Sequence, residues 1–131
     1  MEKINVLIVE DEPIIALDLK RALTKLNYQV LDMVSSGEAA LHFIEKQSPD
    51  IILMDEPASG LINAEIDEID NTLRMLSKEM NIAVIIVEHR IELLETIADR
   101  VVVMDAGEII AEGNLEDVIN NPKVKEAYFE G

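Results

Sequence analysis

At 131 residues and 14.6 kDa the chain is long enough for one core of ordinary size and too short for two full domains. Its 27 Asp and Glu against 11 Lys and Arg give a net charge of −16 and a pI near 4.3, which repels duplex nucleic acid and anionic membranes. Four aromatics, no Trp and no Cys leave an aliphatic core, no base-stacking platform, no disulfide and no cysteine metal site, and predict a cytoplasmic chain.

Asn5 to Val9 is a short aliphatic run ending in three acids, Glu10, Asp11 and Glu12, with Pro13 placed for a first helical turn. Strand then helix is the reading. Ile15, Leu19, Ala22, Leu23 and Leu26 recur at helical spacing as far as Asn27, giving one apolar stripe to lay on a sheet. Gln29 to Val34 reads as a second strand. Ser35 and Glu38 then have capping-box spacing ahead of a short helix with Ala40, Leu41 and Ile44. Asp50 to Met54 is a third strand, apolar as far as Asp55 and so covered on both faces, and it ends in Asp55 and Glu56.

The next helix carries Ile66, Ile69, Leu73, Leu76 and Met80 on one face, with Glu65, Asp67, Glu68 and Asp70 solvated near its positive end. Ile82 to Val87 is the longest apolar run, far below the roughly 20 residues of a membrane span, and the N-terminus shows no secretory leader. That run reads as a central buried strand ending in Glu88-His89. Arg90 to Arg100 follows as a helix with Ile91, Leu94 and Ala98 inward, then a fifth strand, Val101 to Met104, ending in Asp105. Asp105-Ala106-Gly107 predicts a tight turn into an antiparallel strand, Glu108 to Ala111. Asn114 caps a last helix from Leu115 that Pro122 interrupts.

The alternation predicts one α/β domain over residues 1–131, a doubly wound parallel sheet with right-handed crossovers and an added antiparallel hairpin strand after strand five. Ligands of such sheets bind beyond the carboxyl ends of the strands. There the sequence places Glu10, Asp11, Asp55, Glu56, Glu88 and Asp105, carboxylates expected to converge on one rim. Close pairs would repel, raise at least one pKa, and be relieved by acid or by a divalent cation between Asp11 and Asp55. Solvated strand-end acids without chemistry are the competing reading, and His42, between Leu41 and Phe43, carries no functional signal.

From Lys3 to Asp55 the chain resembles the receiver domain of response regulators, on Val6-Leu7-Ile8-Val9-Glu10-Asp11-Glu12-Pro13, Ser36-Gly37-Glu38-Ala39-Ala40-Leu41 and Pro49-Asp50-Ile51-Ile52-Leu53-Met54-Asp55. The resemblance implies a flavodoxin-like sheet of order 2-1-3-4-5, weak Mg²⁺ binding at Glu10, Asp11 and Asp55, and phosphoryl acceptance at Asp55. It departs from the family after strands four and five, where Glu88 and Asp105 stand for the family's hydroxyl residue and Lys.

From Leu53 onward the chain is similar to the C-terminal half of an ABC transporter ATP-binding subunit. Leu53-Met54-Asp55-Glu56-Pro57-Ala58-Ser59-Gly60-Leu61 resembles the Walker B strand and D-loop, Val87-Glu88-His89 the switch histidine loop, and Ile97 to Gly113 with Asn121 to Tyr128 the subunit's tail. By that resemblance Asp55 would hold Mg²⁺ through water, Glu56 would be a general base and His89 would contact a γ-phosphate. No glycine is followed by Lys, however, so the phosphate-cradling loop that those roles require is missing. The two resemblances meet at Asp55. They predict an engineered chimera, not an enzyme, with no required cofactor, no ATP or nucleic-acid or membrane partner, and a monomeric or homodimeric state; a receiver-like module that binds Mg²⁺ and takes a phosphoryl group at Asp55, and a residual nucleotide-binding protein, are the alternatives. Catalytic residues are then remnants only: Asp55, Glu56 and His89.

Overall fold

The computed structural model describes residues 2–57 and 63–129, which fall into two compact units, Met1–His89 and Arg90–Gly131. In the first unit the strands β1 (Asn5–Val9), β2 (Gln29–Val34), β3 (Ile51–Asp55) and β4 (Ala83–Val87) form one parallel sheet of order β2-β1-β3-β4. Parallel neighbours need long crossovers. These are α1 (Pro13–Lys25), α2 (Gly37–Ile44) and α3 (Asn63–Arg74). The topology is the flavodoxin-like one predicted, through its first four strands.

The sheet is buried on both faces at its centre. Val6 and Ile8 of β1 share one face with Ile51 and Leu53 of β3, and Ala16, Leu19 and Leu23 of α1 pack onto them. Leu7 and Ile52, on the other face, are fully buried, with Val9 and Met54 beside them. Within the predicted stripe of α1, Ile15 and Leu26 are exposed, and Ala16 takes the closest position because its small side chain lets the helix approach the strands.

Several local expectations are corrected. The cap of α2 is Ser36, whose hydroxyl accepts the Ala39 N–H at 3.1 Å, and not Ser35. Beyond Arg74, α3 widens into a π-helical turn, Met75–Glu79, closed by the Met80 N–H on the Met75 carbonyl. The wider turn breaks the helical spacing, so Leu73 and Leu76 are buried while Met80 is exposed. β4 is the last strand of its sheet rather than a central one, and Ile85 and Val87 are 50% and 52% exposed. They lie on the face that α1 covers at β1 and β3.

The second unit holds α4 (Ile91–Ile97), β5 (Val101–Asp105), β6 (Glu108–Gly113), α5 (Leu115–Ile119) and α6 (Pro122–Val124), which runs on into a π-helical turn, Lys125–Phe129. The predicted hairpin of β5 with β6 is present, as a separate two-stranded sheet, and the predicted order 2-1-3-4-5 is corrected only in that β5 does not extend the four-stranded sheet. A two-residue turn makes the hairpin. Ala106 and Gly107 both have positive φ, 50° and 83°, which matches the twist of a hairpin and brings β6 beside β5 at little loop-closure cost. Val101, Val118 and Val124 form the core of this unit, with Val103, Ile110 and Leu115 against it. Leu93, not Leu94, is the buried leucine of α4. Asn114 caps α5 as predicted, accepting the Asp117 N–H at 2.8 Å, and the Tyr128 hydroxyl donates to the Met104 carbonyl. Among the described residues no helix is long and apolar enough to cross a membrane.

Candidate functional site

Strand pairing, more than any side chain, sets the geometry of the acidic rim. β1 ends at Val9, yet the Glu10 N–H still donates to the Val34 carbonyl at 2.9 Å, so Glu10 continues the strand and is only 7% exposed. Pro13 then starts α1 and turns the chain back, which aims the Glu12 N–H at Glu10 Oε1, 3.1 Å away. Val9 is in register with Met54, so Asp55 emerges one strand over from Glu10. Asp55 and Asp11 lie close enough to Glu10 to favour its protonated form. Burial, and after it the charge and contact of Asp55, hold Glu10 above the ordinary carboxylate range, against the opposing pull of the Glu12 N–H. These residues, with Ile15 and Glu56, line a cavity of about 120 Å³.

Glu56 follows Asp55 in the left-handed region, φ 48°, where its N–H donates to the Val87 carbonyl at 2.8 Å. Its Oε1 lies 2.9 Å from His89 Nδ1. Glu88 beside it has a buried side chain, 1% exposed, whose Oε1 accepts the His89 N–H at 3.1 Å.

Of the six predicted carboxylates, the cavity brings together Glu10, Asp11, Asp55 and Glu56. Glu88 is directed to His89 instead, and Asp105 is an exposed residue of the second unit, paired across the hairpin with Glu108. Glu12 is a cavity residue that the sequence reading passed over; its signal was the strand end two residues before a helix-starting Pro. The Glu56–His89 contact joins residues 33 apart and has no local signature.

The donor set is all carboxylate oxygen, the chemistry of a hard cation. Among the described residues no group of three or more His, Cys, Asp or Glu side chains is placed to hold a metal ion, so a cation stripped of its water finds no ready set of ligands. Mg²⁺ keeps several waters and takes one or two carboxylates, and so fits a rim where Glu10, Asp11 and Asp55 adjoin.

The sequence profile of the response regulator receiver domain matches residues 6–110. The chain belongs to that family. Among solved structures the receiver domain is similar to the PhyR stress response regulator, at 29% identity and TM-score 0.51 over 65% of this chain and 31% of that one. It is equally similar to the signal receiver domain of a modulated diguanylate cyclase from Desulfovibrio desulfuricans G20, at 29% identity and TM-score 0.50 over 70% and 71% of the two chains. The family match continues past Asp55, where the receiver resemblance of the sequence reading stops, through β4 and β5.

A second likeness overlaps the first. The receiver domain is 38% identical over 81 residues to the high-affinity branched-chain amino acid transport ATP-binding protein BraF of Pseudomonas aeruginosa, covering 62% of this chain and 32% of that protein. It is 43% identical over 76 residues to a putative ABC transporter ATP-binding protein of Methanosarcina mazei, covering 58% and 13%. The chain thus spans about a third or less of the length of these curated relatives.

Proposed function

We propose that this receiver domain is a Mg²⁺-binding module whose hydrated cation sits at the rim of Glu10, Asp11 and Asp55, taking one or two of these carboxylates directly and the rest through water. The observation that carries the reading is the burial of Glu10 against Asp55 and Asp11 in one cavity. Burying a carboxylate among others costs stability unless something offsets it, and a divalent cation does so directly. When bound, Mg²⁺ would neutralise the rim's charge and offer a phosphoryl oxygen a counter-ion. Asp55 ends its strand in the lining of the cavity, where this reading has it accept a phosphoryl group, Glu10 and Asp11 serve the cation side, and the Glu12 N–H holds Glu10 at 3.1 Å. Glu88 stands where the family carries a hydroxyl and Asp105 stands for its Lys, so an acyl phosphate here would lack the side-chain cation that steadies it elsewhere.

Isothermal titration of the full chain with MgCl₂, with Asp55→Asn and Glu10→Gln beside it, tests the cation site. Binding in the millimolar range that both substitutions weaken supports it, and an absence of heat with no change in melting temperature at 5 mM Mg²⁺ removes it. Labelling with acetyl phosphate, lost in Asp55→Asn, tests acceptance separately.

A second reading, an engineered chimera with no intact catalytic activity, is supported by the transporter likeness in a sequence whose glycines include none followed by Lys. Titration with Mg-ATP tests it: saturable nucleotide binding or turnover would overturn it.

A further inference from the structure

His89 touches the wall of the acidic cavity from outside it. The cavity is lined by Glu56, and Glu56 Oε1 is the atom 2.9 Å from His89 Nδ1. An ionised carboxylate only accepts, so Nδ1 carries the proton of this hydrogen bond whether or not Nε2 is also protonated. Both partners are held by backbone as well as by each other. Asp55 is in register with Val87, which brings Glu56 beside the end of β4. Glu56 is fixed by its N–H on the Val87 carbonyl at 2.8 Å and by its left-handed φ of 48°. The His89 N–H is bonded to the buried Glu88 at 3.1 Å, and Nδ1 lies 3.8 Å from the same Glu88 oxygen. His89 therefore takes up one carboxylate oxygen of a residue that lines the cavity.

We propose that His89 is a positioning residue that holds the Glu56 carboxylate away from the cavity's cation and so sets the cavity's affinity for divalent ions. The proposal rests on the cation-binding reading above. With His89 in place the cation answers to Glu10, Asp11 and Asp55. Without it, Glu56 is free to turn its carboxylate inward, adding a further negative charge beside the cation. More carboxylate ligands tighten a hard-cation site, and they also make it less hospitable to a phosphoryl anion at Asp55. The contact thus tunes a balance: weaker metal binding in exchange for a less negative surrounding at Asp55.

The test is Mg²⁺ titration of the full chain and of His89→Ala, His89→Asn, Glu56→Gln and the double variant His89→Ala/Glu56→Gln, with melting in EDTA to establish that each folds. The Asn amide places a donor near the position of Nδ1, so His89→Asn keeps the hydrogen bond and serves as the rescue. His89→Ala is expected to bind Mg²⁺ about five- to tenfold more tightly, the effect of one more carboxylate near a divalent ion in a solvated site. His89→Asn should bind as the parent does, and the double variant should bind as Glu56→Gln does, there being no carboxylate to release. Tightening that survives in the double variant, or that His89→Asn shows as strongly as His89→Ala, would overturn the proposal. Binding in the parent that Asp55→Asn abolishes and His89→Ala leaves unchanged would overturn the proposal alone. If neither parent nor His89→Ala binds Mg²⁺, the proposal falls together with the reading beneath it.

Discussion

Glu10 lies in the interior with Asp55 against it, and burial first, then that neighbouring charge, favour its protonated form. Its pKa in the folded chain is therefore above the value of 4.5 it takes when unfolded, so the folded state binds the proton more tightly. The sign follows. Glu10 opposes folding wherever the pH exceeds the raised value, and that opposition fades as pH falls through the raised value toward the unfolded one. Glu10→Gln should raise the melting temperature at pH 7.5 by a few degrees and flatten its rise as the pH falls toward 4.5. Melting curves in EDTA across that range check this. A parent and a Glu10→Gln variant with the same pH dependence over the whole range would show that the Glu10 carboxylate is hydrated rather than buried.

Among the elements, the caps and turns offer the sharpest comparisons. Ser36→Ala removes the hydroxyl that accepts the Ala39 N–H and should cost about 1 kcal/mol. Ser35→Ala, one residue earlier, removes no cap bond and should be near neutral; urea denaturation of the two variants separates them. At the β5–β6 turn, Ala106 occupies φ 50°, a conformation that Asn tolerates far better, so Ala106→Asn should stabilise the hairpin by roughly 0.5–1 kcal/mol. Slower amide exchange at Val103 and Ala111 would register it.

These same elements mark how far the sequence could be read. The bounds of β1 and β2 were legible because each is an aliphatic stretch flanked by charge, turn or proline. Asn114 announced its cap by lying just ahead of an apolar run. β4 was misread as central because Ala83 to Val87 is apolar at every position, leaving no alternation to report which face is wet. The π-helical turn at Met75–Glu79 was invisible because it changes the hydrogen-bond step without changing composition. In the site, Glu10, Asp11 and Asp55 were legible as strand-end acids, whereas the absence of β5 from the four-stranded sheet and the meeting of Glu56 with His89 depend on tertiary choices between segments.

At the scale of the whole molecule, a charge of −16 surrounds an aliphatic interior, and the carboxylates that make the cavity are a small part of that excess. Mutual repulsion between chains of such charge opposes non-specific association. β4 is where that dispersal matters. Its five residues carry neither charge nor proline, and Ile85 and Val87 present half-exposed side chains at the last strand of the sheet. A strand of that composition is a template for intermolecular pairing once nothing keeps neighbours apart. Near pH 4.3, the isoelectric point, nothing does. Turbidity should therefore rise steeply there in the parent, while Ile85→Lys remains clear; equal turbidity in both would acquit the strand. Acidification thus acts on the chain twice, easing Glu10 in the interior while removing the colloidal protection outside, so that acid stabilisation is observable only in the interval before the protein leaves solution.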